Sequence, residues 1–182
     1  IMLAARTDRL IYESPCDGVR LPRADSAPAA LEPLTTEQVH RLADEVPGHY
    51  RALVLASAGL GLRQGEACGL TVDRIDFLRR RVRIDRQVVT PTKAPRVPYF
   101  GPPKTPTSNR VLPLPASVGD VLAAHIAEYG EGPDRLLFRT RDDRMMSRQT
   151  WHGAFSAAAA RVKIDASTHD LRHHTASLLI AS

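Results

Sequence analysis

Apolar residues in much of this chain recur every three or four positions, the spacing of a helix that buries one face. The first such segment follows Thr35, where Gln38 completes a capping-box pattern, so we predict a helix from there to Pro47. Helical spacing also covers residues 50–58, 63–68, 116–129 and 147–162, and a last helix is predicted from about 167 onward. The chain is therefore predicted to be mainly helical.

The pattern changes to alternation between residues 72 and 114, which is the period of a β-strand. The alternating apolar positions lie in segments 72–77, 82–89 and 111–114. Six prolines between Pro91 and Pro106 predict a long loop before the last of these segments. The expected fold class is α+β: along the chain, predicted helices come before and after the strands of a small three-stranded antiparallel sheet.

The beginning of the chain has a different character. Residues up to Tyr12 have the pattern of a helix end, and prolines 22, 28 and 33 among small polar residues mark a linker. We therefore place a domain boundary near Ala30. Residues 1–30 would be the end of one domain and its linker, and residues 31–182 would form the main domain.

Composition excludes several classes of protein. Hydrophobic residues make up 43% of the 182 positions, which is enough for a packed core. The sequence has no apolar run near the roughly 20 residues that span a membrane, and its first residues lack a signal-peptide pattern. Two cysteines, Cys16 and Cys68, are too few for a disulfide scaffold or a thiolate zinc site. A cytoplasmic protein is expected.

Basic residues are concentrated in one segment. The chain has 25 Lys and Arg against 20 Asp and Glu, a net charge of +5. Between Arg79 and Arg110, nine basic residues accompany a single acid, Asp85. Such a stripe is typical of proteins that bind a phosphate backbone, although a solvated charged surface is the alternative. The candidate DNA-binding residues are Arg79, Arg80, Arg81, Arg83, Arg86 and Arg110.

A glycine-rich turn precedes Arg63. The segment from Gly59 to Gly65 has Gln64 where a dinucleotide-binding fingerprint needs its third glycine, and a helix precedes it instead of a strand. The remaining interpretation is a tight turn that presents Arg63 at a helix start, with Glu66 three residues on. A guanidinium held there suits bidentate phosphate recognition, and a surface Arg–Glu pair is the alternative.

The last predicted helix begins with three polar residues on one face. His169, Arg172 and His173 are spaced i, i+3, i+4, so they share that face. The two histidines have the spacing of a helical zinc pair, but a fixed positive charge would lie beside the metal and no third ligand follows. Arginine and histidine acting together on a phosphate is the second interpretation, and solvated histidines are the third. The other side of the helix is predicted to face the core through Leu171, Leu178 and Leu179.

Lys104 lies in the proline-rich loop, just before the last alternating segment. A hairpin could carry it over a bound substrate, where its ammonium group could protonate a leaving oxygen. An ordinary loop lysine is the alternative.

Taken together, three segments resemble the tyrosine recombinase (phage integrase) family. They are AGLGLRQGEA at 58–67, PKT at 103–105 with NRVLPL at 109–114, and HDLRH at 169–173. The resemblance implies the tyrosine recombinase fold, with residues 1–30 as the end of a core-binding domain and residues 31–182 as the catalytic domain without its C-terminal segment. It also implies site-specific DNA cleavage and rejoining through a 3′-phosphotyrosine link, with no metal and no other cofactor.

The resemblance also assigns roles to the candidate residues. Arg63 and Arg172 would clamp the scissile phosphate, His169 would assist proton transfer, and Lys104 would be the general acid. Glu66 and His173 would support them.

The family's nucleophilic tyrosine follows the second arginine motif, whereas Tyr12, Tyr50, Tyr99 and Tyr129 all precede it. The expectation is that these 182 residues lack the nucleophile, so that they bind double-stranded DNA without cleaving it while the parent protein is a recombinase. The resemblance further implies a homotetramer on two DNA sites, no membrane association, and a location at the nucleoid when bound to DNA. Two alternatives stay open: a non-catalytic DNA-binding remnant of the same fold, and a zinc hydrolase built on His169 and His173.

Overall fold

The computed structural model describes residues 6–13, 32–105 and 108–181. The chain divides into two compact units, residues 1–32 and residues 33–182. In the first unit, the described residues 6–13 are mostly exposed and contain a turn that the Arg9 N–H closes on the Arg6 carbonyl, at 3.2 Å. The predicted linker and the boundary near Ala30 lie outside the described residues, so the assignment of residues 1–30 stays a prediction.

Six α-helices form the framework of the described part of the second unit. They are α1 (Thr36–Glu45), α2 (Gly48–Leu60), α3 (Gln64–Cys68), α4 (Ala116–Tyr129), α5 (Arg148–Val162) and α6 (Asp170–Ala181). The predicted capping box is present at α1, where the Thr35 hydroxyl accepts from the Gln38 N–H and the Gln38 side chain accepts from the Thr35 N–H. The helical pattern of the sequence therefore marks the helices of the structure.

Helix α2 is the centre of the unit. It is buried along nearly its whole length and packs against α1, α4 and α6. Its approach to α4 is close at Gly59, because a Cβ atom there would lie 2.4 Å from Cγ2 of Val118. Aromatic side chains complete the core on the α5 side, where Trp151 packs edge-on against Tyr50 and Phe155.

In the described residues between α3 and α4 there are five short strands. Strands β1 (Ile75–Asp76), β2 (Arg81–Ile84) and β5 (Arg110–Pro113) form an antiparallel sheet in the order β1-β2-β5. Strands β3 (Gln87–Val89) and β4 (Tyr99–Gly101) form a separate antiparallel pair. The α+β class and the three-stranded sheet are confirmed.

Three details of the prediction are wrong. Val72 lies in a 3-10 turn, and β4 lies inside the proline-rich segment that was predicted to be a loop throughout. At the far end of α6, Leu171 is fully buried, but Leu178 and Leu179 are 52% and 72% exposed, because the core contacts of this helix are made by its first turns. Among the described residues, no helix has the length and apolar character needed to cross a membrane.

Candidate functional site

The turn between α2 and α3 places Arg63. Gly61 has φ of 61°, a left-handed conformation that a side chain would strain, and it ends α2. A Cβ atom on Gly61 would also lie 3.3 Å from Cγ2 of Thr175 on α6. Glycine therefore permits both the sharp turn and the close approach of α6. Arg63 follows two residues later as the N-cap of α3, with 38% of its side chain exposed.

Glu66 is the buried centre of the site. Its side chain is 2% exposed, and its carboxylate accepts four hydrogen bonds. Two come from Arg63, one from the backbone N–H and one from Nη1, each at 3.0 Å. The other two come from Arg110, from Nη1 at 3.1 Å and from Nη2 at 2.9 Å. Burial alone would raise the pKa of Glu66, but the hydrogen bonds from Arg110 and Arg63 hold it below its ordinary value.

Arg172 brings a third guanidinium group to this place. It projects from the first turn of α6, and its Nη1 donates to the Gly61 carbonyl oxygen. The pKa of Arg172 is lowered mainly by burial and next by the positive charge of Arg63, whereas the Glu66 carboxylate raises it. The pKa is lowered further by Arg110. Two guanidinium groups therefore pair with the Glu66 carboxylate and a third, that of Arg172, lies within reach of its charge, so the site carries excess positive charge suited to an anion.

Ser108 joins Arg63 to the loop before β5. Its hydroxyl accepts a hydrogen bond from Arg63 Nη1 at 3.2 Å and shares a second, at 2.8 Å, with the Thr105 hydroxyl. Its carbonyl oxygen accepts from Arg110 Nη1 at 3.0 Å. Ser108 is not among the site residues predicted from the sequence, because its contact with Arg63 joins positions 45 residues apart in the chain.

Lys104 lies in the same loop, and its side chain is exposed. The loop is held on its other side by Gln87, whose side-chain N–H donates to the Pro102 carbonyl at 2.8 Å. The backbone at Lys104 is thus anchored on both sides, while the ammonium group stays accessible. Its role as a general acid stays a prediction.

The two histidines of the candidate motif are exposed at the start of α6. The ring centroids of His169 and His173 are 4.5 Å apart, consistent with their i, i+4 spacing, and the two rings are nearly perpendicular. Among the described residues, no group of three or more His, Cys, Asp or Glu side chains is placed to hold a metal ion. The zinc interpretation is therefore not favoured.

The next histidine in the chain has a structural contact that the sequence analysis missed. His174 is buried, and its Nδ1 lies 2.6 Å from the Leu34 carbonyl oxygen. This hydrogen bond joins α6 to the segment that enters α1, on the side of the helix away from the exposed histidines.

The basic stripe divides between the two faces of the three-stranded sheet. Arg81 and Arg83 alternate outward on β2, and Arg79 and Arg80 lie exposed in the turn before it. Arg110 is different, because it pairs in register with the buried Ile84 and so points to the opposite face, toward Glu66.

Besides Arg110, two further arginines of the stripe have acidic partners. Arg79 pairs with Asp76 at 3.2 Å, and Arg86 pairs with Asp85 at 3.4 Å. Arg86 also stacks over the Phe100 ring, 5.1 Å from its centroid, which ties β4 to the end of β2. Arg80, Arg81 and Arg83 are exposed and, among the described residues, belong to no ion pair, so their guanidinium groups are available to a ligand.

Known proteins are similar to this chain in sequence. A model of the phage integrase family matches residues 32–182. The chain is 29% identical over 186 residues to an integrase of Mycobacterium phage FRAT1, covering 98% of this chain and 54% of that protein. It is 28% identical over 167 residues to the tyrosine recombinase XerA of Thermococcus kodakarensis, covering 88% of this chain and 51% of that protein. The chain spans about half the length of the curated relatives it matches.

Solved structures share the fold. The Tn1549 transposon integrase in complex with transposon right end DNA superposes with a TM-score of 0.78 at 23% identity, covering 98% of this chain and 62% of that one. A crystal structure of XerA recombinase gives a TM-score of 0.63 at 17% identity, covering 98% of this chain and 59% of that one. The arrangement of helices and small sheets is therefore shared with these two structures.

Proposed function

The chain belongs to the phage integrase family, and on that basis we propose that its parent protein is a tyrosine-type site-specific DNA recombinase. The observation that carries the proposal is the cluster of three arginines around one buried carboxylate. A guanidinium group forms a planar pair of hydrogen bonds with phosphate oxygens, and it keeps its charge at every physiological pH. Such a site suits a phosphodiester.

Arg63 and Arg172 are the proposed phosphate clamp. Both are partly exposed, so their remaining N–H groups can reach the non-bridging oxygens of a scissile phosphate. Negative charge grows on those oxygens when a hydroxyl attacks phosphorus, and fixed donors stabilise it without reorganising. Removing one such donor from other enzymes costs about 10²- to 10³-fold in rate. The buried Glu66 carboxylate holds Arg63 in place, because it accepts hydrogen bonds from both the backbone N–H and the side chain of Arg63.

Proton transfer is proposed to involve Lys104 and His169. In the cleavage step, a tyrosine hydroxyl attacks phosphorus and the bond from phosphorus to the 5′ oxygen breaks. The ammonium group of Lys104 gives its proton to that departing oxygen and becomes a neutral amine. The exposed imidazole of His169 accepts the proton that the attacking tyrosine hydroxyl releases, and His173 supports it with its ring 4.5 Å away.

The nucleophile is proposed to be a tyrosine other than the four in this chain. Tyr50 packs against Trp151 in the core, and Tyr129 lies beside His125 at the end of α4. Tyr12 and Tyr99 are exposed, and both precede the second arginine motif.

Double-stranded DNA is the proposed partner. A solved integrase of the same fold is bound to DNA, and this chain has exposed arginines at positions 79, 80, 81 and 83. Phosphate contacts of this kind fix the position of a protein on DNA but carry no base sequence. We further propose that the parent protein acts as a homotetramer on two DNA sites and is located at the nucleoid in the cytoplasm when bound.

A nicked DNA substrate tests this function. The full-length protein would be incubated with its verified cognate site, nicked so that religation fails, and covalent protein–DNA bands would be read on a denaturing gel. We expect a band from the wild type and none from Arg63→Ala or Arg172→Ala. Arg144→Ala is the matched control, because that arginine is 77% exposed and pairs only with the exposed Asp142 in the structure.

The outcomes separate the alternatives. If the wild type binds the site with strong salt dependence but gives no band, the protein is a binding remnant of the fold. A band that persists in both Arg63→Ala and Arg172→Ala would overturn the phosphate clamp.

A further inference from the structure

Ser108 is a buried hydroxyl in an otherwise accessible loop. Its residue exposure is 3%, whereas Lys104 and Thr105 nearby in the chain are exposed. A buried hydroxyl is costly unless it is hydrogen-bonded, and this one has partners on both sides. The contacts of Ser108 therefore indicate a role other than filling the core.

The hydroxyl group links two parts of the proposed machinery. It accepts from Arg63 Nη1 at 3.2 Å, so its own proton is free to go to Thr105 Oγ1, 2.8 Å away. The Ser108 N–H also donates to the Thr105 carbonyl oxygen at 2.9 Å. Ser108 thus fixes both the backbone and the side chain of Thr105 relative to the Arg63 guanidinium group.

Lys104 is the residue directly before Thr105. Its loop has a second anchor at Pro102, whose carbonyl accepts from the Gln87 side chain at 2.8 Å. The two anchors lie on either side of Lys104, but only the Thr105 anchor is connected to an arginine of the cluster. The lysine side chain is flexible, and its reach to a departing oxygen depends on where its backbone is held.

We propose that Ser108 is a positioning residue that aligns the general acid with the phosphate clamp, through the chain of contacts Arg63–Ser108–Thr105. The inference rests on the proposed recombinase function and adds to it the device that brings Lys104 and Arg63 to the same phosphate. Ser108 does not itself touch the substrate in this account. Its loss would misplace the proton donor while leaving Glu66 to hold Arg63.

A change of leaving group tests this role separately from stability. A DNA site in which sulfur replaces the bridging 5′ oxygen expels a thiolate, and because the pKa of a thiol is only about 8.5, that group leaves without a proton donor. We expect Ser108→Ala in the full-length protein to cleave the ordinary site about 10- to 100-fold more slowly, a part of the 10²- to 10⁴-fold contribution of a general acid. On the sulfur-containing site, its single-turnover rate should return to near that of the wild type.

Thr105 supplies a second, less buried position for the same test. Thr105→Val removes the hydroxyl at an exposed residue, so it should fold and should reproduce the leaving-group dependence of Ser108→Ala. Thr105→Ser keeps the hydroxyl and is the matched control, with rates close to wild type on both sites.

Each outcome of the leaving-group experiment either supports or overturns the positioning role of Ser108. Slow cleavage of the ordinary site with recovery on the sulfur-containing site supports the positioning role. Equal slowing of both sites, or no slowing of either, would overturn it while leaving the recombinase function intact. A wild type that cleaves neither version of a verified site would overturn the recombinase function and this inference with it.

Discussion

Replacing Glu66 with glutamine removes the one negative charge at the centre of the arginine cluster. The carboxylate is 2% exposed and accepts four hydrogen bonds from Arg63 and Arg110. Glutamine keeps one acceptor oxygen but places an NH₂ group against N–H donors, and it leaves two guanidinium groups without a counter-charge. The Arg63 and Arg110 side chains are 38% and 24% exposed, so water can solvate part of their charge, and we expect Glu66→Gln to lose about 1–3 kcal/mol of unfolding free energy, the cost of leaving buried donors without an acceptor.

Urea unfolding at several pH values is the assay. The pKa of Glu66 is lower in the folded protein than its ordinary value of 4.5, so its ionised form stabilises the fold above that value. This stabilisation is lost as the pH falls through the folded pKa. The difference between wild type and Glu66→Gln should therefore be full at pH 7 and should shrink below about pH 4.

An exposed ion pair is the control. Asp44→Asn removes the partner of Arg51, and both side chains are about half exposed or more, at 63% and 46%. Surface pairs of this kind contribute about 0–1 kcal/mol. If Glu66→Gln loses no more stability than Asp44→Asn at pH 7, or if its loss stays as large at a pH well below 4 as it is at pH 7, the carboxylate does not hold the cluster together as argued.

Three other predictions concern packing, α6 and the nucleophile. Gly59→Ala should lower the unfolding free energy measured in urea by about 1–3 kcal/mol, because its Cβ would lie 2.4 Å from Cγ2 of Val118. Adding Val118→Ala should restore part of that stability, and an unchanged unfolding midpoint in Gly59→Ala would contradict the close packing. His174→Leu should lower the unfolding free energy by about 1–3 kcal/mol, because it leaves the Leu34 carbonyl oxygen unpaired. His173→Ala, at an exposed position, should change it little, and an equal loss of stability in the two variants would disprove the His174 contact. The 182-residue chain should bind duplex DNA in a mobility-shift assay yet give no covalent band on a denaturing gel, and a band would place the nucleophile within it.

Local patterns were sufficient to predict most of the helices. The capping box at Thr35 and the helical spacing of residues 116–129 depend on neighbours close in the chain, and the structure has a helix at each. Strand β4 was missed because prolines surround it and its pairing partner β3 lies ten residues or more away in the sequence. Non-local pairing of this kind leaves no mark in a short window of sequence.

In the candidate site, too, some residues could be predicted from local sequence and others depend on contacts between distant parts of the chain. Arg63 and Arg172 could be found from their motifs, but the stripe of charge gave no information about which face each arginine occupies. Arg110 turns inward because it pairs with Ile84, and that register is set by the fold and not by the charge pattern. Ser108 was missed for a similar reason, because a single serine in a polar loop has no significance until the loop folds back onto Arg63.

The central claim is that Arg63 and Arg172 form a phosphate site, and the salt dependence of DNA binding tests it most directly. The affinity of the 182-residue chain for a duplex would be measured from low to moderate salt for the wild type, Arg63→Gln, Arg172→Gln and the control Arg144→Gln. Each lost phosphate contact should reduce the slope of log affinity against log salt by about 0.9, so we expect that change in the first two variants and none in the control. Slopes equal to the wild type in both Arg63→Gln and Arg172→Gln, with folding intact, would contradict the claim.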